Sequence, residues 1–112
     1  LKLYADFYPP PGGAGPREVS PTLTIEEMAA AVDVAHRAGR KVAAHADSVA
    51  GIRNAVEAGV DSIEHGGLAD RAVLQKMKEK GVYLVSTAAV VLEHAAVGSP
   101  PPELVKRVES LR

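Results

Sequence analysis

A pattern written twice constrains this chain more than anything else in it. Gly39-Arg40-Lys41-Val42-Ala43-Ala44-His45 is one copy, and Gly59-Val60-Asp61-Ser62-Ile63-Glu64-His65 is the other. Each opens on a glycine suited to ending a helix, continues as a short apolar run of strand length and closes on a histidine. Gly81-Val82-Tyr83-Leu84-Val85-Ser86-Thr87 repeats the pattern with threonine in the place of histidine. Recurrence at a spacing of about twenty residues reads as successive βα units.

The segments between the copies carry helix signals. Thr24-Ile25-Glu26-Glu27 is a capping box, in which hydroxyl and carboxylate each satisfy a free backbone amide. Met28, Ala31, Val32, Ala35 and Ala38 follow at helical spacing, and Gly39 ends the helix. Ser48 is expected to cap a second helix with Ile52, Ala55 and Val56 on one face and Gly59 as its stop. Asp70 is expected to cap a third, bearing Val73, Leu74 and Met77 and ending at Gly81. Strands are expected at 1–4, 42–46, 60–64 and 82–85. The run at 42–46 is apolar enough to be buried on both faces. Residues 9–21, rich in proline and glycine, form a long loop. A fourth helix is expected at 103–111 behind Pro100-Pro101-Pro102. Residues 88–98, with His94, carry no clear signal.

The order is therefore β-loop-α-β-α-β-α-β-α, which implies an α/β fold with a parallel sheet. Four βα units make about half of a (β/α)8 TIM-type barrel, with an open doubly wound sheet as the alternative. A half-barrel leaves strand edges and helix flanks uncovered, so either a fragment or a homo-oligomer that completes the barrel is expected. Leu1 lies inside an apolar run and is not methionine, which suggests a chain cut from something longer, with any export signal lost. Localisation, cytoplasmic or exported, stays open. The formal net charge of −1 points to no nucleic acid and no anionic membrane, and no apolar run is long enough to span a bilayer. Absence of cysteine removes disulfides and thiolate metal sites.

Chemistry in such folds collects at the carboxyl ends of the strands. His45, His65 and Thr87 occupy equivalent strand ends, and Lys2 lies close to the end of the first strand. Two imidazoles pointing into one mouth suit a metal or catalysis, and two hydrogen-bonded core histidines are the plainer alternative. His36, in the last turn of the first helix, reads as structural. Alternation aims Glu64 away from His65, toward the helices. Asp47 and Asp61 read as ordinary polar residues. Tyr4, Phe7 and Tyr8 stand near Lys2, where aromatics line pockets or simply pack. Lys2 by itself reads as a solvated edge lysine.

The segments Leu1-Lys2-Leu3-Tyr4-Ala5-Asp6, Ala35-His36-Arg37-Ala38-Gly39, Val42-Ala43-Ala44-His45-Ala46, Gly51-Ile52-Arg53-Asn54-Ala55 and Ala58-Gly59-Val60-Asp61-Ser62-Ile63-Glu64-His65-Gly66 resemble the metal-dependent amidohydrolase superfamily. The similar branch is the imidazolonepropionase-like and Xaa-Pro dipeptidase-like group. The resemblance implies that residues 1–112 are a partial barrel domain covering strands four to seven of eight. It implies one or two divalent metal ions, usually zinc, with Lys2 as the lysine often carboxylated to bridge them and His45 and His65 as metal ligands. Tyr4, Tyr8 and Thr87 become candidates for lining a substrate pocket. The implied reaction is hydrolysis of a C–N bond, in an amide, cyclic amide or dipeptide of small size, by metal-activated water. The family's His-x-His of strand one does not occur in the chain, and its general-base aspartate of strand eight falls after the expected last strand. No catalytic residue is therefore assigned, and the isolated chain is expected to be inactive. Two further readings compete with this one. In one, Lys2 forms an imine with a carbonyl substrate. In the other, the chain is a non-catalytic half-barrel that assembles or has no activity.

Overall fold

The computed structural model describes residues 1–7 and 19–89. Tyr8, residues 9–18 of the Pro/Gly loop, His94 and the helix expected at 103–111 lie outside the described residues. The elements are β1 (Lys2–Tyr4), β2 (Asp6–Phe7), β3 (Ser20–Pro21), α1 (Ile25–Arg37), β4 (Ala43–Ala46), α2 (Val49–Ala58), β5 (Ser62–His65), α3 (Arg71–Lys80) and β6 (Tyr83–Val85). Strands β1, β4, β5 and β6 form one parallel sheet in that order. The helix ends follow the sequence signals. Thr24 and Glu27 make the reciprocal capping box. Ser48 and Asp70 accept from Gly51 and Val73 amides. Gly59 and Gly81 close their helices in the left-handed conformation that a side chain disfavours.

The three helices among the described residues each bury an apolar stripe on one face of the sheet. Met28, Val32 and Ala35 of α1, Ile52, Ala55 and Val56 of α2, and Val73 and Met77 of α3 pack with Val42, Ala44, Ala46 and Ile63. The expectation that the 42–46 run is buried on both faces is corrected. Along β4, Ala44 and Ala46 are buried whereas Ala43 and His45 are only partly so. The reason is the layer order: helices cover one face, and the described residues leave the other open. On that open face the register builds two rows. Lys2, Ala43, Ser62 and Tyr83 are the lower, and Tyr4, His45, Glu64 and Val85 the upper.

The loop expected at 9–21 also needs correction at its far end. Ser20 and Pro21 pair antiparallel with Phe7 and Asp6. Thr22 donates its amide to Ala5 O and its hydroxyl to Tyr4 O. The chain therefore returns to the top of β1 before entering α1.

Candidate active site

At the carboxyl end of the sheet the sequence places His45 on β4 and His65 on β5, but not in the same row. The register sets Glu64 beside His45 and His65 beside the helix-facing Ala46. Alternation thus puts Glu64 on the open face, where it accepts from Ser62 Oγ at 2.9 Å, and the expectation that it faces the helices is overturned. Strict alternation would then turn His65 toward the helices. The backbone of His65 departs from it, with φ at +77°. A left-handed conformation costs a non-glycine residue about 1–2 kcal/mol. The two imidazoles meet edge to face with ring centroids 4.6 Å apart. The strain sits at the one residue that this meeting requires to turn.

One ring is hydrogen-bonded on its far side, and the other faces a carboxylate at longer range. His65 Nδ1 lies 3.0 Å from Thr87 Oγ1. His45 Nε2 lies 4.0 Å from Asp6 Oδ1, inside ion-pair range but beyond hydrogen-bonding length. Tyr4 stacks obliquely on His45 at 5.1 Å, and Phe7 stands 6.3 Å from Tyr4 and 6.4 Å from His45. Both aromatics are about half exposed, so they wall the site without filling it. Lys2 shares the open face one row below His45. A cleft lined by Lys2, Leu3, Tyr4, Phe7, Thr22 and Leu23 opens beside β1.

The electrostatics favour the neutral form of His45. Burial lowers its pKa most, neighbouring His65 lowers it further and Lys2 adds to this, against the opposing pull of Asp47 and Asp6. A neutral imidazole retains the lone pair that ligation or proton acceptance needs.

Beneath the rings are two carboxylates that the sequence did not single out for this place. Asp6 is fully buried. It accepts from Asp47 N at 3.0 and 3.1 Å, from Ser48 N at 2.7 Å and from Ser48 Oγ at 2.7 Å. These donors are at the entry to α2, where partial positive charge favours an anion. Asp47 accepts from Gly67 N at 2.9 Å through Oδ1, and its carbonyl accepts from Leu68 N at 2.9 Å. Gly51 is the available sequence signal: a glycine in the first turn of a helix marks a close approach. A Cβ there would stand 2.1 Å from Asp6 Oδ2.

Of the residues expected at the site, Tyr4, His45, His65 and Thr87 form one chain of contacts, and Lys2 joins their face from below. Among the described residues no three His, Asp or Glu side chains surround a common point that would hold a metal.

A parallel sheet backed by helices, with histidines at adjacent carboxyl ends, defines a segment of a (β/α)8 barrel and excludes the doubly wound alternative once its neighbours are considered. Residues 13–110 match the model of the amidohydrolase family, and the chain belongs to that family. It is 40% identical over 83 residues to ochratoxinase of Aspergillus niger, an alignment covering 71% of this chain and 17% of that protein. The crystal structure of A. niger ochratoxinase superposes with a TM-score of 0.76 at 32% identity, over 99% of this chain and 25% of that one. A Xaa-Pro dipeptidase with methionine bound in its active site gives a TM-score of 0.63 at 38% identity, over 82% of this chain and 23% of that one. The chain thus spans a minor part of the length of each relative.

Proposed function

We propose that this chain is part of a longer metal-dependent hydrolase that cleaves C–N bonds of small amides or dipeptides. The observation that carries the reading is the contact of His45 and His65 at neighbouring strand ends, with Thr87 on Nδ1 of one and Asp6 beyond Nε2 of the other. The donor set fits a metal in part. With Thr87 on His65 Nδ1 and the Asp6 carboxylate facing His45 Nε2, the nitrogens turned to a divalent ion such as zinc are His45 Nδ1 and His65 Nε2. Lys2, as a carbamate, is the third donor on the same face. A complete centre needs donors beyond the described residues. A divalent ion held there supplies Lewis acidity toward a carbonyl and toward water.

The chain's own residues have definable tasks around it. Thr87 orients the His65 ring. Tyr4 and Phe7 form an apolar wall that packs the organic part of a substrate and limits water on that side. The matched relatives, an ochratoxinase and a Xaa-Pro dipeptidase, support an amide or peptide substrate.

The test is metal content and turnover of the intact protein on a panel of dipeptides and N-acyl amino acids. Stoichiometric divalent metal, and hydrolysis that disappears with the metal in His45→Ala, is the expected result. Metal content unchanged by both His45→Ala and His65→Ala would overturn the reading. Labelling of Lys2 by borohydride with a carbonyl compound would favour the imine reading instead.

A further inference from the structure

Three successive strand ends are tied by a repeated device. Asp6, four residues after Lys2, accepts the amides of Asp47 and Ser48, which follow His45. Asp47, two residues after His45, accepts the amide of Gly67, two residues after His65. Gly66 N also donates to Ala46 O at 3.0 Å, so the tops of β4 and β5 are locked together. A carboxylate from one loop thus fastens the backbone of the next, and it does so twice in the same direction around the sheet.

We propose that Asp6 and Asp47 are positioning residues that set the spacing and ring orientation of His45 and His65, with Asp6 also selecting the His45 tautomer that carries its proton on Nε2. The inference rests on reading the two histidines as ligands. Its physical basis is the placement of Asp6. The carboxylate is fully buried, its oxygens are fixed by backbone and hydroxyl donors, and the absent side chain of Gly51 leaves it room. A fixed negative charge 4.0 Å from Nε2 favours a proton on that nitrogen and the lone pair on Nδ1. An asparagine at position 6 keeps the volume but can retain only one oxygen. With that oxygen kept on the Ser48 side, Asp47 N retains only its contact to it, and the amide group turns a donor toward His45 Nε2.

The experiment uses Asp6→Asn in the intact protein, with two readouts. Imidazole 15N shifts of His45 in the metal-free protein report the tautomer. Chelator competition reports zinc affinity. The expected result is a change from Nε2–H to Nδ1–H and zinc binding weaker by about 10–100-fold, the range typical of outer partners of metal ligands. Ser48→Ala, which removes one donor to Asp6, shifts affinity in the same direction by less. It also keeps the proposal testable if Asp6→Asn does not fold. Asp47→Asn retains an oxygen for Gly67 N and should leave zinc affinity near that of the parent, whereas Asp47→Ala weakens it. A His45 tautomer and zinc affinity unchanged in folded Asp6→Asn, or unchanged affinity in Ser48→Ala where Asp6→Asn does not fold, would overturn the proposal. If His45→Ala abolishes zinc binding in the same assay, the ligand reading stands and only the positioning role fails.

Discussion

The two ends of the sheet use the same residue types in opposite ways. At the amino end, Asp61 gathers its partners outright. His36 Nε2 and Lys41 Nζ each lie 2.8 Å from its oxygens, and Val42 N donates at 2.8 Å. At the carboxyl end the carboxylates of Asp6 and Asp47 bind backbone amides, and the nearer imidazole stays at 4.0 Å. Histidine and aspartate at one end therefore bond directly and join α1 to the start of β5. At the other end Asp6 and Asp47 fasten the backbone of the loops that follow the histidines. One end pairs imidazole and carboxylate directly, and the other sets them 4.0 Å apart.

The sharpest way to break this contrast is to exchange losses between the ends. His65→Ala should weaken zinc binding by more than about 100-fold, beyond the range for outer partners. Its melting temperature without metal should not rise, because alanine keeps the Cβ that the left-handed conformation opposes and loses the Thr87 contact. His36→Ala should lower the melting temperature and leave zinc affinity unchanged. Chelator competition and calorimetry on the intact protein separate the two. A metal defect in His36→Ala would dissolve the distinction between the ends.

Next in size is Gly51→Ala, which drives a methyl group into the Asp6 carboxylate. Overpacking of this kind costs about 1–3 kcal/mol, read as a shift in the denaturant midpoint. Gly39→Ala is the matched control at the other end. The space around Gly39 is open, so only its positive φ of +67° opposes the substitution. If the two cost the same, the buried carboxylate is not tightly fixed.

Acid titration probes the amino end. Burial pulls the Asp61 pKa upward, but hydrogen bonds from Lys41, His36 and the Val42 amide outweigh it and hold the carboxyl well below the usual range. The sign follows from linkage. A depressed native pKa gives stabilisation that is complete above the unfolded value, near about 4, and is lost as pH falls toward the native value. Asp61→Asn should therefore be less stable than the parent at pH 7, with the gap closing below about pH 4. Denaturant curves across that range measure it, and a gap independent of pH would show that the charge of Asp61 does not matter.

The fold was legible because its signals are local. Capping boxes, glycine stops and apolar periodicity depend on neighbours in the chain, and Thr24, Ser48, Asp70, Gly59 and Gly81 all act as their local chemistry implies. His45, His65 and Thr87 were legible as a set for the same reason, since they end equivalent segments. What escaped was longer in range. Alternation misplaced Glu64 because one left-handed residue, His65, breaks the period at the strand end. Asp6 drew no reading of its own and Asp61 read as an ordinary polar residue, because their partners lie 41 and 42 residues away for one and 19 to 25 for the other. The apolar 42–46 run suggested burial on both faces, but alanine is small enough to sit on an open face at little cost, and Ala43 does so.

The smallest effect sharpens the carboxyl end further. Thr87 was expected to line a substrate pocket, yet its hydroxyl meets His65 Nδ1 at 3.0 Å. If Thr87 only lines the pocket, Thr87→Val should alter KM and leave metal binding alone. If it orients His65, valine keeps the shape but removes the partner of Nδ1, and the ring gains freedom to turn. Zinc affinity should then fall by about 10-fold, the lower end for loss of an outer partner. Thr87→Ser should restore it, since the hydroxyl alone is required. Ring orientation and substrate contact thereby separate in a single pair of variants. Either result assigns the third strand end, one to metal positioning and the other to substrate recognition.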